Sequence, residues 1–198
     1  IYRPFLISSS QQEGLSFINS DLVSEINFSS GGFEAKYGDK MSSVLDIKYI
    51  VPKKNKTSIS TSLLGTNFHT QGVSKNKNNS FLIGLRYKTT NYILNSLDTD
   101  AEYRPRFFDV QSSFNFKIFD YWNLNILSNY NYNNYLMIPT SRDTEFGNIN
   151  EALKLRIFFD GQEKDEFTTF FTTVINKFKI SENSSLQTNL SFFEINES

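Results

Sequence analysis

The sequence predicts an all-β protein of antiparallel strands, and three observations carry that prediction. Apolar residues recur with period two rather than with the helical period of 3.6. Several alternating segments reach ~10 residues or more, beyond the ~5–6 typical of soluble strands and close to the 9–11 that cross a bilayer. The composition couples 16% aromatic residues to 22 Asn and 25 Ser in 198 residues, a mixture that excludes simple disorder, which is poor in aromatics.

The strands can be taken in order. Val23 to Phe28 and Val44 to Tyr49 flank a stretch holding Gly31, Gly32 and Gly38. Residues 57–71 read as one strand, and so do residues 81–89, where Phe81, Ile83, Leu85 and Tyr87 oppose Leu82, Gly84, Arg86 and Lys88. Residues 109–133 form a predicted hairpin. Its first arm sets Val110, Phe114, Phe116 and Ile118 against Gln111, Ser113, Asn115 and Lys117, and Phe119 to Trp122 make the turn. The second arm sets Leu124, Ile126, Tyr130 and Tyr132 against Asn123, Asn125, Asn129, Asn131 and Asn133. Residues 153–159, 168–180 and 186–193 continue the alternation, with a turn at Ser181 to Ser185.

Composition narrows the function classes. Net charge is −1 with 21% charged residues, so no one-sign field exists to hold nucleic acid. The absence of cysteine removes disulfides, Cys-type zinc sites and thiol nucleophiles. No apolar run approaches the ~18–20 residues of a transmembrane helix, and the opening IYRPFLISSS lacks the pattern of a signal peptide. The chain starts on Ile1 and finishes inside a predicted strand, which predicts a piece of a longer protein. The polar parity is mostly Asn, Ser, Gln and Thr, which suits the water-filled lumen of a barrel whose apolar face touches lipid. A soluble β-sandwich also alternates, so composition and period leave both architectures open.

The segment GGFEAKYGDKMSSVLDI, within Asp21 to Ile50, resembles the end of the plug domain of TonB-dependent outer-membrane receptors, especially the variety found in Bacteroidota. EYRPRFFD (Glu102 to Asp109) and FFDGQEKDE (Phe158 to Glu166) are similar to barrel segments of the same family. The resemblance implies part of a transmembrane antiparallel β-barrel preceded by the C-terminal part of a plug: residues 1–52 plug, residues 53–198 the first, incomplete set of barrel strands. It implies import of a nutrient ligand across the outer membrane of a Gram-negative bacterium, without catalysis and without a cofactor. The implied partners are the lipid bilayer, the TonB system acting through a segment upstream of this chain, and a surface lipoprotein. Gly31, Gly32, Phe33, Ala35, Tyr37 and Gly38 would pack the plug, the glycines allowing a tight turn and Gly38 a positive φ. Ligand contact would fall on residues 95–108 and 139–150, with Arg104, Arg106 and Arg142 as candidate anion or sugar contacts.

In such a barrel the short turns at 120–122 and 181–185 face the periplasm. Counting strands backwards from them makes Val44 to Val51 a barrel strand, whereas the resemblance places it in the plug, and we follow the resemblance. Two other classes compete: a structural barrel subunit of a larger outer-membrane assembly, and a soluble sandwich module binding carbohydrate. Other chemistry has little support. His69 has no nucleophile elbow or spaced carboxylate beside it and reads as a strand residue facing water or a lumen. Asp160, Glu163, Asp165 and Glu166 lack the spacing of a calcium loop and read as a solvated loop, and Lys53, Lys54 and Lys56 as a charged turn.

Overall fold

The computed structural model describes residues 18–38, 42–89, 101–103, 106–139, 142–148, 151–157, 161 and 163–198. Among the described residues twelve strands form, every pair antiparallel, in three sheets. Strands β1 (Val23–Ser29) and β2 (Val44–Tyr49) pair only with each other. The main sheet contains β3 (Lys56–Ser62), β4 (Gly65–Val73), β5 (Asn79–Thr89), the short β6 (Ala101–Tyr103), β7 (Arg106–Phe119), β8 (Trp122–Pro139), β11 (Glu163–Lys179) and β12 (Ser185–Glu197). Between β8 and β11 in the chain, β9 (Arg142–Asn148) and β10 (Glu151–Ile157) pair as a separate hairpin.

The main sheet is an open meander in chain order, β3-β4-β5-β7-β8-β11-β12, with β6 pairing the far end of β8. Its alternating residues explain why it forms, since each strand offers an apolar and a polar row to its neighbours. The register aligns Gly72, Phe81, Phe114, Ile126, Val174 and Leu190 in one row across six strands. Phe68, Leu85, Val110, Tyr130 and Phe170 form another. The opposite face carries His69, Arg86, Asp109, Gln111, Asn129 and Asn131.

Burial runs opposite to that of a sheet packed on an apolar core. Asp109, Gln111 and Asn131 are 0% exposed, whereas Ile59 and Leu190 are 71% exposed and Phe192 53%. The polar face is the covered one, and what covers it comes from residues 18–22 ahead of β1 and from Tyr49 on β2. A 3₁₀ turn, Ser20–Leu22, is capped by the Asn19 side chain accepting from the Asp21 amide at 3.2 Å. It lays Leu22, fully buried, over Gly84. A Cβ at Gly84 would stand 2.7 Å from Leu22 Cδ1, so glycine is what lets the segment seat against the sheet.

The predicted strands appear, several with extended ends, and two expectations change. Residues 57–71 are two strands, β3 and β4, turned at Leu63 and Leu64. Gly65 at φ 141° makes that turn, because a side chain there would collide with the Tyr87 carbonyl on β5. Ser62 Oγ accepts from the Leu64 amide at 3.2 Å and tightens it. The extra strand removes the strand-counting conflict: β3 now runs away from the short-turn end, and β2 is not needed in the main sheet. Connections at the short-turn end, 74–78, 120–121 and 180–184, alternate with those at the other end, where the two-residue turn 63–64 is followed by the long connections 90–105 and 140–162. Glu163 to Glu166 also differ from the loop expected of them and open β11, Lys164 Nζ pairing with Glu166 Oε1 at 2.6 Å. Asp160 lies outside the described residues.

Candidate functional site

The polar face and the segment over it meet at a hydrogen-bonded cluster. Register places Arg86 on β5 directly opposite Asp109 on β7. The guanidinium grips the carboxylate in bidentate fashion, Nε to Oδ1 at 3.1 Å and Nη2 to Oδ2 at 3.0 Å. The two side chains are 6% and 0% exposed, so the pair is dry, and a dry pair holds only when its remaining donors and acceptors are also met. Here they are. Gln111 Nε2 donates to Asp109 Oδ2 at 2.7 Å, Arg86 Nη1 donates to the Ile18 carbonyl at 3.1 Å, and the guanidinium carbon lies 4.9 Å from the Phe107 ring centre.

A second tie comes from β2. Tyr49 Oη donates to Gln111 Oε1 at 2.9 Å. Burial first, and the Asp109 carboxylate second, push the Tyr49 hydroxyl above its ordinary pKa, so it remains a donor. Segment 18–22 and strand β2 are joined in turn by the Ile50 amide on the Leu22 carbonyl at 2.8 Å. The Asn19 amide reaches Asn67 Oδ1 at 3.5 Å, and Asn67 donates to Asp21. The sheet is thus anchored to the preceding segment through polar groups, with Leu22 as an apolar contact among them.

Beyond this cluster the polar face continues as a ladder of asparagines. Asn131 Nδ2 donates to Asn129 Oδ1 at 3.2 Å, and Asn133 Nδ2 to Asn131 Oδ1 at 3.4 Å. His69 is buried on this face between Ser58 Oγ at 3.4 Å and Gln71 Oε1 at 3.2 Å, a strand residue with hydrogen-bonding neighbours. Among the described residues no group of three or more His, Asp or Glu could hold a metal ion, and no helix is long and apolar enough to cross a membrane.

The glycine motif lies in the connection from β1 to β2. Gly31 and Gly32 have φ 144° and 60°, so both need glycine, but Gly38 is not in the left-handed region and the turn does without it. Phe33 and Tyr37 are half-buried and Ala35 exposed. Tyr37 Oη donates to Asp46 Oδ2 at 2.8 Å, tying the motif to β2, with Lys36 Nζ 4.8 Å from its ring centre. Since nothing lies within 4 Å of a Cβ built on Gly32, its demand is conformational alone. Gly32→Val should therefore cost about 1–3 kcal/mol through backbone strain. Urea unfolding of the variant beside the wild type measures that cost.

Of the candidate ligand contacts, Arg106 is exposed at the start of β7 opposite Thr89 and Asn134. Arg142 opens β9 opposite Ile157, and Arg104 lies outside the described residues. Strand β9 occupies much of what was expected to be the 139–150 loop. The sequence reading missed Arg86, Asp109 and Gln111 as a cluster. Its one available signal was charge on the polar parity in mid-strand, at Arg86 and again at Asp109.

The chain matches no protein-family model, no curated protein and no solved structure.

Proposed function

We propose that this chain is part of a TonB-dependent outer-membrane transporter that imports a nutrient ligand: residues 18–50 belong to the plug, and the main-sheet strands β3 to β8, β11 and β12 are lipid-facing barrel strands. The observation that carries the reading is the polarity of the main sheet, apolar side chains exposed and Asn, Gln, Arg and Asp covered by residues 18–22 and Tyr49. In a soluble sandwich the buried face is the apolar one, whereas a membrane barrel is apolar outside and polar inside.

Dimensions agree with the reading. Phe108 to Phe116 on β7 make nine residues of alternating strand, roughly 26 Å at about 3.3 Å per residue, which matches the 9–11 residues of a tilted strand that crosses a bilayer. At the short-turn end aromatic rings gather as an interfacial girdle would, Phe119 on Tyr121 at 5.3 Å and Trp122 on Phe178 at 5.4 Å between centres. On this reading the bilayer is one partner, the TonB system acts through an upstream segment, and a surface lipoprotein meets the long-connection end.

Conductance of the full-length protein in a planar KCl bilayer tests the plug. The intact protein should stay closed, and removal of residues 18–50 should open large steps. A structural barrel filled by other means would remain closed after the deletion, and a soluble module would give no conductance in either form. Energy-dependent uptake lost on deleting the gene separates a transporter from a scaffold.

A further inference from the structure

At the short-turn end of the polar face, a cleft of about 450 Å³ lies between the chain entering β3 and the wall of β5, β7, β8 and β11. Its size falls within the range of small-molecule sites. Lys77, Lys117 and Lys177 line it together with Asn78, Asn123 and Pro52. Lys117 and Lys177 both face Asn123 in register, one from each side. Two strand spacings separate them, so their backbones stand roughly 10 Å apart on the same face. A lysine side chain is long enough to bring either ammonium over Asn123, so one anion seated there would feel both charges inside the ~8 Å over which salt screens them.

The third lysine is held there against local preference. Lys77 has φ 59°, the only positive φ at a non-glycine position among the described residues. Its neighbours Asn76 and Asn78 are of the type that adopts this conformation more readily. The turn is fixed around it: the Lys77 amide donates to the Ser74 carbonyl at 2.9 Å, the Asn79 amide to Ser74 Oγ at 3.0 Å and the Asn78 amide to Asn76 Oδ1 at 3.2 Å. Compensating charge is sparse. Asp120 pairs with Lys117 at 2.6 Å but stands outside, 95% exposed, and Glu182 is exposed in the next turn. Lys53, Lys54 and Lys56 follow Pro52, all exposed, and add to the positive field at the cleft mouth.

We infer that this cleft is an anion site: it takes a phosphate or carboxylate group of a small ligand between the ammonium groups of Lys77, Lys117 and Lys177, with the Asn123 amide as a further donor. The inference does not depend on the transporter reading.

Calorimetric titration of the full-length protein in zwitterionic detergent, at fixed ionic strength in chloride, with inorganic phosphate and separately with citrate, tests it. At least one anion should bind, and phosphate alone or citrate alone would tell a phosphate ligand from a carboxylate. Lys117→Gln with Lys177→Gln should weaken binding by about tenfold or more, while the charge-matched control Lys88→Gln with Lys164→Gln, at the far ends of β5 and β11, should change it less than about twofold, because charges beyond a screening length act weakly. Lys77→Asn suits the left-handed position and keeps the turn, so it removes one charge without unfolding risk, and it too should weaken binding several-fold. No binding of either anion up to about 10 mM, an affinity of under 3 kcal/mol, would overturn the inference. Equal weakening by the control pair would do the same, since it would mean a diffuse field and no site.

Discussion

Asp109→Ala is expected to destabilise the protein by about 3–5 kcal/mol, the cost of leaving a buried cation without its partner. The carboxylate is fully buried and accepts three hydrogen bonds, two from Arg86 and one from Gln111. Removing it also frees Gln111, on which Tyr49 rests, and loosens the guanidinium that holds the Ile18 carbonyl. Residues 18–50 should then become cleavable by protease at concentrations that leave the wild type intact. The double replacement Arg86→Met with Asp109→Leu separates the two effects. It buries no charge and should recover most of the stability, as apolar replacements of buried pairs often do, yet still release residues 18–22. Urea unfolding in detergent reads the first quantity, and limited proteolysis the second. An Asp109→Ala variant as stable as the wild type would mean that the pair is wet and the anchor lies elsewhere.

The second large effect concerns the outward face. Ile126→Arg should cost about 2–4 kcal/mol in a lipid bilayer, because it sets a charge into the hydrocarbon layer. Ile126 sits in the row running from Gly72 to Leu190, with Phe114 and Val174 on either side. The same replacement at Asn125 stays on the polar face. It loses the donations of Asn125 Nδ2 to Ser113, Phe114 and Asn115, an expected cost of only about 1 kcal/mol. Reversible folding titrations into lipid vesicles measure both. Equal costs at the two positions would remove the membrane face from the account.

Much of this architecture was written in local pattern. Alternation over 109–133 located a hairpin whose turn falls at Asp120 and Tyr121, because period two is a property of neighbouring residues alone. The same pattern failed over residues 57–71. Leu63 and Leu64 look like strand continuation, and only the φ of Gly65, fixed by the backbone of β5 beside it, shows that the chain reverses there. Gly38 misled in the other direction, since a glycine permits a positive φ without requiring one. The Arg86–Asp109 pair lies across a register that spans the 90–105 connection, and no local spacing encodes it. The asparagines of β8 were legible as a polar face but not as a buried one, and the tie of Tyr49 to Gln111 on the neighbouring strand joins residues 62 apart in the chain.

The most direct test is a nitroxide scan of β8. The sequence contains no cysteine, so single Cys replacements from Leu124 to Asn133 can be labelled without altering the background. In lipid vesicles, collisions with oxygen should rise at Leu124, Ile126, Ser128, Tyr130 and Tyr132, and fall at Asn125, Leu127, Asn129, Asn131 and Asn133, a two-residue oscillation over the whole strand. Oxygen accessibility without that oscillation, or apolar positions shielded from both oxygen and water-soluble relaxants, would place a second protein layer where the account requires lipid.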